Sequence, residues 1–70
     1  MKDKIVAMIK KMAKEKDEEE NKKMMKKINK MIKDKDQDEI NNMMDQIDGV
    51  LSVDDWRASK NIRKEIREMK

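Results

Sequence analysis

Asp17-Glu18-Glu19-Glu20 is a helix start, and the same arrangement returns at Asp36-Gln37-Asp38-Glu39 and at Ser52-Val53-Asp54-Asp55. In each, a short oxygen-bearing side chain stands at the N-cap, where it can accept an orphan amide proton of the first turn. A carboxylate follows three residues later, near the positive end of the helix dipole. Asp55 is a less usual partner for a capping serine than Glu or Gln, so the third start is the weakest by residue type. Three joints cut the chain into four short helices, predicted at about 4–15, 18–33, 37–48 and 53–69.

Working outward from the joints, each segment carries an apolar stripe at helical spacing. Ile5, Met8, Ile9 and Met12 mark the first helix, with Val6 and Ala13 at its margin. The second has Met24, Met25, Ile28, Met31 and Ile32; the third has Ile40, Met43, Met44 and Ile47. Ala58, Ile62, Ile66 and Met69 give the fourth its inward stripe. The stripes of the first two helices point about a third of a turn apart at ~100° per residue, and a lysine-rich helix end meets an acidic helix start near Lys16. Both features favour a break there, with one continuous or kinked helix as the alternative. Gly49, the single glycine, is expected in a left-handed C′ position that stops the third helix, with Val50 as the apolar contact of that cap. Leu51, Ser52 and Trp56 have the spacing of a hydrophobic staple. The expected fold is all-α: a single domain over residues 1–70, built as a small helical bundle with short connections.

Half of the residues are charged, and Pro, His, Cys, Phe, Tyr and Thr are absent. The apolar run Ile5 to Ile9 is too short for a signal sequence, and nothing approaches the ~20 apolar residues of a membrane span. A soluble, cytoplasmic protein is therefore expected, in keeping with the lack of cysteine. Nine methionines stand beside a single leucine, Leu51. Every residue except Gln37, Gln46, Leu51 and Trp56 is of a type that a purine-first codon can encode. An A-rich gene, as in a low-GC bacterium or one of its phages, would give this alphabet without selection for methionine chemistry.

Charge falls in blocks. Residues 1–35 carry thirteen lysines against seven acids, residues 36–55 carry seven acids and no base, and residues 56–70 carry six bases against two acids. The third helix is thus an acidic element between basic ones. Mutual neutralisation within the bundle is the first expectation, and attraction of an acidic partner the second.

Catalysis has little to work with. Imidazole, thiol and phenol are missing, and the only hydroxyls are Ser52, a cap, and Ser59. Nucleophilic catalysis needs an activated group beside a positioned base. Asp34, Asp36 and Asp38 alternate like calcium-loop ligands, but Glu39 replaces the required glycine and Asp45 the closing glutamate. The pairs Met24-Met25 and Met43-Met44 suit a core or an adaptable partner groove better than a soft-metal site. No metal or other cofactor is expected. A helix-turn-helix reading of the third and fourth helices fails at Asp45 and Asp55, and acids at the start of a recognition helix would repel phosphate. The first helix lacks the Trp, Phe or Leu of an interfacial membrane anchor.

The expected function is therefore non-enzymatic: a small regulator or inhibitor that binds a partner protein and can also self-associate into a homo-oligomer. Its candidate surfaces are the basic face of the fourth helix, Trp56, Arg57, Lys60, Arg63, Lys64 and Arg67, and the methionines Met24, Met25, Met43 and Met44. The alternative is a nucleic-acid-binding accessory protein using the basic faces of the second and fourth helices, the second offering Lys22, Lys23, Lys26, Lys27 and Lys30.

Overall fold

A computed structural model describes residues 2–69. Five helical segments follow one another: α1 (Lys2–Lys14), α2 (Glu18–Met31), α3 (Gln37–Val50), α4 (Val53–Ala58) and α5 (Lys60–Arg67). All three expected N-caps are made. Asp17 Oδ1 accepts from the Glu19 amide at 3.0 Å, Asp36 Oδ1 from Glu39 at 2.9 Å and Ser52 Oγ from Asp55 at 3.2 Å. The first two helices are separate. Glu15 Oε1 accepts the amides of both Lys16 and Asp17 at 3.0 Å, which satisfies the backbone through the break without Gly or Pro.

α1 and α5 form the centre of the bundle, each packed against α2, α3 and α4 as well as each other. The core joins Ile5, Ile9 and Met12 of α1 with Met24 and Ile28 of α2, Ile32 just beyond it, the full α3 stripe and Ile66 of α5. Met8, Met25, Met31, Ile62 and Met69 pack around it, half-buried. The Cα radius of gyration is 11.1 Å, the value of a fully collapsed chain of this length (about 11 Å). One buried cluster thus joins α1, α2, α3 and α5.

Three expectations need correction. The fourth helix is two helices, because the chain bends at Ser59. Ala58 is exposed, whereas Ser59 and Arg63 point inward and are 0% and 8% exposed. Gly49 does not stop α3: it lies within the helix, no residue among those described has positive φ, and the helix ends one residue later, with Leu51 as its C-cap in an extended conformation. Val50 accordingly covers no cap and is 55% exposed.

α3 and α5 run antiparallel. Gln37, at the start of α3, donates from Nε2 to the Arg67 carbonyl at the end of α5, 2.9 Å away. At the other end Asp48 meets Arg63. This pairing sets the interaction site.

Candidate interaction site

The bend at Ser59 is held by side chains that take over backbone groups. Ser59 Oγ donates to the Trp56 carbonyl at 3.3 Å, three residues back, a bond that competes with the helix ladder. Arg63 then locks the turn. Its Nε donates to Ser59 Oγ at 3.1 Å, its Nη2 to the Trp56 carbonyl at 2.7 Å and its Nη1 to Asp48 Oδ1 at 3.3 Å. The guanidinium fork thus uses three donors in three directions, which an ammonium could not do from one point. Inserting a side chain into the ladder is a recognised cause of a kink.

The acidic α3 neutralises the basic α5 at named atoms. Asp48 is shared by Arg63 and Arg67, whose Nη2 lies 3.2 Å from Asp48 Oδ2 and 2.8 Å from Asp45 Oδ1. The Asp45 hydrogen bond, with help from Asp48 and against some burial, holds the Arg67 guanidinium more firmly charged than usual. Asp45 and Asp48 lie one turn apart on α3, as do Arg63 and Arg67 on α5, so antiparallel packing aligns the two pairs.

The locked Arg63 presents Trp56. Its guanidinium carbon is 4.6 Å from the ring centroid, in cation–π contact. The indole is nevertheless 45% exposed, so the Leu51 side chain does not bury it. Leu51 is half-buried against the core. A groove runs beside the ring, lined by Trp56, Arg57, Lys60 and Arg63. A second depression joins Asp48, Leu51, Val53, Trp56 and Arg57. Val53 at 64% and Val50 at 55% complete the large exposed apolar residues of the described chain. Unburied apolar surface is therefore concentrated at the α3–α4 joint and around Trp56.

The predicted site residues divide. Trp56, Arg57, Lys60 and Lys64 are exposed, and among the described residues no acid stands within ion-pairing distance of Arg57, Lys60 or Lys64. Arg63 and Arg67 are committed to internal pairs, so the expected continuous basic face of the fourth helix is interrupted. The methionines are core, not surface: Met24 and Met43 are 8% exposed, Met44 is 0%, and Met25 is half-buried against the same cluster. Their stripes face α1 and α5 because the isoleucines alone are too few to fill the centre of a chain this short. Sequence reasoning missed Val50 and Val53 as surface and Ser59, Asp45 and Asp48 as supports. The one signal for the supports was the alternation of charge blocks, which gives the elements but not the atoms.

Against protein-family profiles, curated proteins and solved structures alike, the chain has no significant match. Among the described residues no helix is long and apolar enough to cross a membrane, and no cluster of three or more acidic, His or Cys side chains is placed to hold a metal ion.

Proposed function

We propose that this protein is a non-enzymatic protein-binding module of the cytoplasm, and that it docks its partner on the surface around Trp56. The observation that carries this reading is an aromatic ring left 45% exposed yet held in place by Arg63. Trp and Arg are the commonest interface anchors, and an anchor already ordered loses little conformational entropy on binding. Val53 extends the apolar contact. Arg57 and Lys60, without internal acidic partners among the described residues, select an acidic segment with apolar anchors of its own.

Selection of a displayed random-peptide library on the folded protein, with counter-selection on Trp56→Ala, tests this. Enrichment of peptides that place Asp or Glu beside Leu, Ile or Phe, and that no longer bind Trp56→Ala, is expected. Enrichment without acidic bias, or undiminished binding to Trp56→Ala, would contradict the assignment. Self-association of the chain through Trp56, seen as a concentration-dependent mass lost in Trp56→Ala, would replace the heterologous partner by a second copy.

A further inference from the structure

Between Asn21 and Lys33 the chain has six lysines and no acid. Its inward residues Met24, Ile28 and Ile32 are buried. At ~100° per residue, Lys22, Lys23, Lys26, Lys27 and Lys30 fall within about 140° of arc directly opposite that stripe. All five are exposed. The acids of α2 are confined to its first turn, Glu18 to Glu20. Only Lys23 is paired among these five, with Glu20 at 3.7 Å, both side chains more than half exposed. Three of the lysine pairs are spaced i,i+4, so like charges adjoin on one helix face, and the acids Glu18 to Glu20 stand one turn before Lys22 and Lys23 alone.

We infer that this face of α2 binds the phosphate backbone of double-helical DNA, independently of sequence. The match is one of charge density. Five charges over eight helical steps is one per ~2.4 Å at ~1.5 Å rise per residue, against one per ~1.7 Å along duplex DNA. The side chains are all ammonium point charges, suited to phosphate rather than to the forked reading of base edges. The face offers no aromatic ring on which a single strand could stack. A membrane surface would call for an apolar flank to insert, and that flank of α2 is buried in the core. On α5, Arg63 and Arg67 are answered by Asp45 and Asp48, whereas on α2 Glu65 shares a groove with Lys22 and Lys26 but, among the described residues, no acid forms an ion pair with Lys22, Lys26, Lys27 or Lys30.

Titration of the full chain with fluorescent 30-base-pair duplexes of two unrelated sequences, from 50 to 200 mM salt, tests the inference. Both duplexes bind alike, and log K falls against log salt with a slope of about −4.5, roughly a 500-fold loss over that range. The variant Lys22→Gln/Lys26→Gln/Lys30→Gln keeps its helical circular dichroism, and its slope shrinks to about −1.8. Arg57→Gln/Lys60→Gln/Lys64→Gln removes the same formal charge elsewhere and leaves the slope unchanged, as does Trp56→Ala, so this surface and the protein-docking surface fail separately. Absence of binding at 50 mM salt, equal loss in both triple variants, or binding to phosphatidylserine vesicles with no binding to the duplex would overturn it.

Discussion

The guanidinium carbon of Arg63 lies 4.6 Å from the centroid of the Trp56 ring, and the same group donates to the Trp56 carbonyl at 2.7 Å. One side chain therefore fixes both the backbone bend and the position of the indole. Because Ser59 Oγ and Asp48 occupy its remaining directions, Arg63 has little freedom to swing away.

Removing that side chain should be costly. Arg63→Ala leaves the buried Ser59 hydroxyl and one oxygen of Asp48 without their donor, and the Trp56 carbonyl with only the longer bond from Ser59 Oγ. The expected loss is about 2–4 kcal/mol, or roughly 10–25 °C in Tm for a domain of this size. Arg63→Lys should recover less than half, since a point charge cannot serve three directions. Thermal denaturation followed by circular dichroism measures both, and a loss below about 1 kcal/mol for Arg63→Ala would show the network to be unimportant.

Arg67 should matter less although it makes the shorter ion pair. Its partner Asp45 is 71% exposed at the side chain, so solvent screens the interaction. Arg67→Ala should cost at most about 1 kcal/mol, less at high salt. Its raised pKa has a definite sign: the stabilisation is complete below the unfolded pKa and is lost as pH rises through the folded value. Alkaline titration from neutrality should therefore leave the Arg67 side of this pair intact until arginine itself deprotonates.

Gly49→Ala should stabilise the protein. The residue is helical without positive φ, and a Cβ built on it meets nothing within 4 Å. Alanine in such a position gains about 0.5–1 kcal/mol over glycine. A drop in Tm would show that the glycine is needed for a conformation other than this one.

How much of this was legible in the sequence follows from the range of the forces involved. The three N-caps are local, and Asp17, Asp36 and Ser52 each bind an amide two or three residues away. The core stripes are also local periodicities, and Ile5, Ile9, Ile28, Ile40 and Ile47 are fully buried as their spacing implied. The bend at Ser59 was illegible because Ala58, Ile62, Ile66 and Met69 continue a helical pattern across it. Its cause lies partly in Asp48, fifteen residues from Arg63. Gly49 misled for a related reason: glycine permits a left-handed stop but does not impose one. Of the candidate site, Arg57 and Lys60 were legible as surface cations, while the exposure of Trp56, whose spacing from Leu51 suggested a covered staple, and the burial of Met24, Met43 and Met44 depended on how the helices assembled.

Ser52→Ala should cost about 0.5–2 kcal/mol, because its hydroxyl caps the short α4 that carries Trp56. Urea titration would report it as a shift in midpoint at constant slope. A midpoint unchanged within error would mean that packing at Leu51 alone fixes the joint.

The central claim, that the ring of Trp56 is exposed, ordered and set among cations, can be read directly, because it is the chain's one tryptophan. The measurement is fluorescence quenching of the folded protein by iodide and by caesium at equal ionic strength, with anisotropy decay recorded alongside. Iodide should quench efficiently and caesium poorly, since Arg57, Lys60 and Arg63 line the groove beside the ring, and the decay should lack a fast local component. Caesium quenching at least as strong as iodide, protection from both, or free local rotation of the indole would contradict the account.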